Sequence, residues 1–121
     1  MKVTKNDIME SYMAYDSGDF KANKLMKASL AYRIYKNMTK IKVFYQELAN
    51  QLDHLQDKYG WKPNEMNGGL TSENAEKYNQ EYRAILDEEV DVDIELIPIS
   101  EIANDLTIEE AKSLYIMISD E

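Results

Sequence analysis

Between Ile34 and Tyr59 the chain reads IYKNMTKIKVFYQELANQLDHLQDKY, and Ile34, Met38, Ile41, Tyr45, Leu48, Leu52, Leu55 and Tyr59 follow one another at spacings of 4, 3, 4, 3, 4, 3 and 4. Apolar side chains that recur every 3.5 residues line one side of an α-helix, so this stretch is a heptad seam that another surface must cover. No Pro or Gly falls between Asn23 and Tyr59. The pattern predicts one long helix over 23–59, basic and then amphipathic, about 55 Å long at 1.5 Å per residue. A globule of this size has a radius of gyration of about 14 Å. The helix is therefore expected to project or to be covered by a second helix or a second copy. Lys58-Tyr59-Gly60 is its stop.

Shorter elements flank the seam. Ile8, Met9, Tyr12, Met13 and Tyr15 predict a helix over 8–15, with Asn6 or Asp7 as cap, and Ser17-Gly18-Asp19 predicts a turn. Gly60, Pro63 and Gly68-Gly69 mark a loop, after which Thr71 or Ser72 can cap a helix over 72–87. Its Tyr78, Tyr82 and Ile85 repeat the 4, 3 spacing, which suits an antiparallel partner for the long helix. From Val90 the pattern alternates, with Val90, Val92, Ile94 and Leu96 apolar and Asp91, Asp93 and Glu95 between them. A half-buried strand is expected over 90–97, limited by Pro98. Thr107-Ile108-Glu109-Glu110 opens a last helix over 107–118. One strand makes no sheet, so Met1–Thr4 or a second copy is expected to pair with it. The expected fold is α+β and mostly helical: one domain over 1–121, with a long heptad-patterned helix, an antiparallel helical partner, a short strand and a C-terminal helix, assembled as an oligomer.

Composition limits the chemistry. The 121 residues include no Cys and a single His, His54, which excludes disulfides and thiolate catalysis and leaves little for a histidine metal site or triad. Gly68-Gly69 lacks the spacing and the following Lys of a phosphate-binding loop. The run Asp87–Asp93 lacks the central Gly and bidentate Glu of a calcium loop. His54 reads as a surface histidine and Trp61 as an apolar cap on the helical hairpin, or as an anchor for a partner. Neither a carboxylate pair nor a nucleophile with its base is identifiable, so no enzyme, metal or cofactor is expected. No segment has the roughly 18 uninterrupted apolar residues of a membrane span, and Met1–Asp7 lacks the apolar core of a secretion signal. A cytoplasmic protein is expected.

Charge is unevenly distributed. From Phe20 to Gln46 there are seven bases, Lys21, Lys24, Lys27, Arg33, Lys36, Lys40 and Lys42, and no acid; elsewhere seven bases stand against all 23 acids, a balance of −16 within a net −9. The segment either packs on acidic stretches of its own chain or of a second copy, or it receives an anion. In the second case Lys24, Lys27, Arg33, Lys36 and Lys40 would neutralise phosphates, and Tyr32 and Tyr35 would contact a base or sugar. Duplex nucleic acid is not an expected partner of so acidic a protein.

Across the chain, the order of short motifs is distinctive: Lys27-Ala28-Ser29-Leu30-Ala31-Tyr32-Arg33-Ile34-Tyr35-Lys36-Asn37, then Lys58-Tyr59-Gly60, then Tyr78-Asn79-Gln80-Glu81-Tyr82, then Val90-Asp91-Val92-Asp93-Ile94 with Ile97-Pro98, and finally Leu106-Thr107-Ile108-Glu109-Glu110. This order resembles a family of small uncharacterised proteins of phages and prophages of Gram-positive bacteria. The resemblance implies a viral protein working inside an infected host cell, and supplies no catalytic residues. A small viral protein without catalytic groups acts by binding. The leading expectation is a non-enzymatic anti-defence protein that sequesters an anionic nucleotide signal through its basic, Tyr-containing helix. The alternatives are an acidic antagonist of a host defence enzyme and a structural or assembly protein of the particle.

Overall fold

A computed structural model describes residues 1–16, 28–102 and 108–119, and most of them are helical. The elements, in chain order, are β1 (Lys2–Thr4), α1 (Lys5–Asp16), α2 (Ala28–Tyr59), α3 (Ser72–Asp87), β2 (Glu89–Asp91), β3 (Ile97–Pro98), α4 (Ile108–Leu114) and β4 (Ile118–Ser119), with short 3-10 turns at Met66–Gly69, Ile99–Glu101 and Tyr115–Met117.

The seam is where the core sits. Ile34, Met38, Ile41, Leu48 and Leu55 of α2 are buried, joined one turn earlier by Leu30. Full burial of an aliphatic side chain of this size is worth about 1.5–3 kcal/mol, so this one face dominates the packing. Leu30, Ile34, Met38 and Ile41 form the main cluster with Val3, Ile8, Val92, Ile97, Ile102, Leu114, Ile116 and Met117. α1 packs against both α2 and α4, and between α1 and α4 the Ser11 hydroxyl donates to the Ser113 carbonyl at 2.6 Å.

α2 ends as its sequence requires. Gly60 has φ +65°, the Gly60 N–H reaches the Asp57 carbonyl at 3.2 Å and the Trp61 N–H reaches that of Gln56 at 2.9 Å. These are the paired bonds of a Schellman ending, which satisfy carbonyls the last turn would leave open. The loop then turns back and α3 starts at Thr71, whose side chain accepts the Asn74 N–H. Lys58 pairs with Glu81 at 2.8 Å, while Lys5 bridges Gln51 and Glu88. As α2 runs back from 58 to 51, α3 advances from 81 to 88, so the helices are antiparallel. Trp61 stacks on Tyr78 with ring centroids 4.5 Å apart, and Tyr59 meets the same ring edge-on. The tryptophan caps the hairpin.

Charge at this end sets a pH response. The Lys58 ammonium, and after it the Tyr59 hydroxyl, hold the Glu81 carboxyl below its ordinary value of 4.5. A depressed carboxyl adds stability that is complete above the ordinary value and is lost as pH falls through the folded-state value. The melting temperature of wild type is thus expected to exceed that of Glu81→Gln at neutral pH, and the gap to close in the acid range below about pH 4. Parallel melting curves across pH check this; a gap unchanged at acid pH would contradict it.

Three details differ from the sequence reading. α1 starts at Lys5 rather than residue 8, because Thr4 and Asp7 cap each other: the Asp7 N–H donates to Thr4 Oγ1 and the Thr4 N–H to the Asp7 carboxylate, both at 3.1 Å. The start of the long helix at 23–27, the turn at 17–19 and the cap Thr107 lie outside the described residues. The strand predicted over 90–97 is two short ones. β2 pairs antiparallel with β1 (Val3 opposite Val90), whereas β3 pairs parallel with β4 (Ile97 opposite Ile118). The last helix ends at Leu114 and gives way to a 3-10 turn and β4. Because β1 supplies the partner from within the chain, strand pairing does not call for a second copy.

Candidate functional site

At 3.6 residues per turn the basic half of α2 presents three faces besides its seam. Arg33, Asn37 and Lys40 share one flank. Tyr35, Thr39 and Lys42 share the other, and Tyr32, Lys36 and Val43 form the ridge between.

The first flank is occupied. The Arg33 guanidinium donates from Nε to Glu95 at 2.9 Å and from Nη1 to Glu101 at 2.6 Å, and these two carboxylates, Glu95 first, raise its pKa further above the ordinary arginine value. Lys40 Nζ donates to the Asp93 carbonyl at 2.8 Å. Between them sits Asn37, 2% exposed, whose Nδ2 donates to the Glu95 carbonyl at 2.8 Å and whose Oδ1 accepts the Glu95 N–H at 2.9 Å. The side-chain amide thus does for residue 95 what a neighbouring strand would do. Residues 92–96 join β2 to β3 without being part of a sheet. Arg33 and Lys40, expected to meet phosphates, spend these hydrogen bonds on the 93–101 segment of their own chain. Lys24 and Lys27, the other expected ligands, lie outside the described residues.

On the second flank α1 and α2 leave a hollow of about 280 Å³, lined by Tyr12, Tyr15 and Asp16 from α1 and by Tyr35, Met38, Thr39 and Lys42 from α2. Lys42 forms no ion pair with any described residue. Burial first, then the neighbouring phenols of Tyr35 and Tyr12, raise the Tyr15 pKa above its ordinary value of 10.0, so its hydroxyl keeps its proton at neutral pH. Tyr12 is held from behind by Tyr45, with ring centroids 4.5 Å apart. Chemically, the hollow combines aromatic faces, phenolic hydroxyls, one ammonium and one carboxylate.

Of the residues expected to bind, Tyr35 reaches this hollow. Tyr32 and Lys36 stand beside it on the outward ridge, with the Lys36 ammonium 5.7 Å from the centre of the Tyr32 ring. Tyr12, Tyr15 and Asp16 were not among the expected binding residues. Their spacing reads as the apolar face and end of a short helix, and the one available signal was two tyrosines three residues apart beside a carboxylate. Lys42, counted in the basic run but not among the expected ligands, is the cation that the fold leaves at the cavity.

No protein-family model, curated protein or solved structure matches the chain. The site is therefore read from its own geometry. Two larger hollows, of about 470 and 550 Å³, involve α1 and α4 and include no residue of the basic stretch.

Proposed function

We propose that the protein is a non-enzymatic binder of a small anionic nucleotide, with the hollow between α1 and α2 as its receptor. The observation that carries this reading is an ammonium without an ion pair among the described residues, Lys42, on a cavity walled by Tyr12, Tyr15 and Tyr35. Tyrosine faces stack on a base, and their hydroxyls and Thr39 offer hydrogen bonds to a sugar. Lys42 takes a phosphate oxygen. Asp16 repels phosphate but accepts N–H donors from a base, so the ligand enters in one orientation. The cavity, roughly 280 Å³, suits one nucleotide unit rather than a polymer. The resemblance to phage proteins supplies the setting in this proposal: a viral protein that removes a nucleotide signal of host defence by holding it.

A thermal-shift series with linear and cyclic mononucleotides and dinucleotides tests the reading. A ligand at about 100 times its Kd stabilises the folded state by about 2.7 kcal/mol, which for a domain of this size raises Tm by about 10 °C. Lys42→Glu is expected to abolish the shift. No stabilisation at millimolar concentration by any member of the series would overturn the proposal.

A further inference from the structure

The helix surface of the protein has a second feature that the ligand site does not use. Ile108 and Ala111 of α4 and Tyr115 at the start of the following 3-10 turn stand at i, i+3 and i+7, and Ile108 is 75% and Tyr115 70% exposed. They floor the hollow of about 470 Å³, whose α1 side carries Asp7 and Glu10 and whose α4 side carries Lys112. Past Tyr115 the adjoining hollow of about 550 Å³ extends over Val3 and Ile116, with Lys2 as its cation. Large apolar side chains this exposed along a groove mark a docking surface, and a groove of this form takes the apolar face of a helix.

The same chain exposes one basic helical ridge. Tyr32 is 62% and Val43 54% exposed, with Lys36 between them. Tyr32 to Val43 spans about 16 Å of helix. Of the four bases in the basic half of α2, Arg33 alone forms an ion pair among the described residues, and Lys36, Lys40 and Lys42 meet no described carboxylate. Those three ammonium groups are thus not paired by any described carboxylate, although the chain outside the basic stretch carries −16. We infer that the groove between α1 and α4 receives the Tyr32–Lys36–Val43 ridge of a second copy, with Lys36 directed to Glu10 and Asp7 and the apolar anchors seated on Ile108 and Tyr115. Opposite charge steers the encounter, and burial of both exposed apolar surfaces holds it. Two different surfaces meet in this contact, so the assembly is head-to-tail and each copy keeps one free ridge or groove until a ring closes.

Sedimentation without ligand tests this independently of nucleotide binding. Wild type is expected to gain mass with concentration across roughly 5 to 300 μM. Lys36→Glu, with a spoiled ridge, and Ile108→Asp, with a spoiled groove, are each expected to stay monomeric with unchanged circular dichroism. Mixed in equal amounts they are expected to form a one-to-one pair and nothing larger, because one still has a groove and the other still has a ridge. Tyr115→Asp serves in place of Ile108→Asp if the latter loses helix. A wild type that stays monomeric throughout, a Lys36→Glu variant that assembles like wild type, or two monomeric variants that fail to pair would each overturn the inference.

Discussion

Replacing Asn37 by Ala is expected to lower the stability of the fold by about 3 kcal/mol. The amide is almost wholly buried and bonds both the N–H and the carbonyl of Glu95. Its removal leaves those two part-buried backbone groups without their partner. A buried unsatisfied polar group costs about 1–3 kcal/mol, and the lost packing against Met117, whose sulfur lies 3.5 Å from Nδ2, adds to it. Asn37→Asp is the sharper control. It keeps the shape and the acceptor, but it cannot donate to the Glu95 carbonyl and places a charge in the interior. Both variants are expected to unfold at lower urea concentration than wild type, whereas Arg33→Ala, which breaks two partly exposed ion pairs, is expected to move the urea midpoint little. Equal losses for Arg33→Ala and Asn37→Ala would contradict the assignment of Asn37 as the principal tie of the 92–96 segment.

The second large effect is expected at Gly68. The residue is buried at φ +63°, and a Cβ there would run into Cδ2 and Cε3 of Trp61. An L-residue in the left-handed region costs about 1 kcal/mol. Displacing the indole from Tyr78 adds the lost stacking, about 0.5–1.5 kcal/mol, and some of its burial. Gly68→Ala is thus expected to destabilise by about 2–4 kcal/mol and to expose the indole. Gly60→Ala carries the same conformational penalty, φ +65°, with nothing within 4 Å of the added methyl, so about 1 kcal/mol is expected. Since the chain has one Trp, its fluorescence reports the hairpin end directly. A red shift for Gly68→Ala and none for Gly60→Ala is the expected pair of results; matching losses at both glycines would show that the indole does not press on position 68.

The parts of this fold legible in the sequence are those governed by local periodicity. Ile34 to Tyr59 announces α2 and its burial, and Gly60 announces its end, because a heptad seam and a left-handed stop need no knowledge of distant residues. The 90–97 segment shows where this reasoning stops. Its alternation is real, but burial falls on Val92 and then on Ile97, five residues apart, so the two-residue period breaks before β3. Between them the backbone is tied to a helix side chain, a partner that no pattern along the segment can reveal. The partners of the basic side chains were hidden for a similar reason. Arg33 lies in a stretch without acids, and the carboxylates that engage it, Glu95 and Glu101, come from 62 and 68 residues further along the chain. A local charge count measures what is absent nearby, whereas folding decides which cation is left over. Lys42 was visible in the count, but only the packing of α1 against α2 sets it on a tyrosine-walled cavity.

The central claim is that the basic stretch is divided, one flank holding the fold and the other receiving an anion. Calorimetric titration of the best nucleotide from the thermal-shift series into Lys42→Glu and Arg33→Ala tests it most directly. The account predicts that Arg33→Ala binds within about threefold of wild type while Lys42→Glu loses binding by at least about a hundredfold. Retained affinity in Lys42→Glu with loss in Arg33→Ala would contradict it.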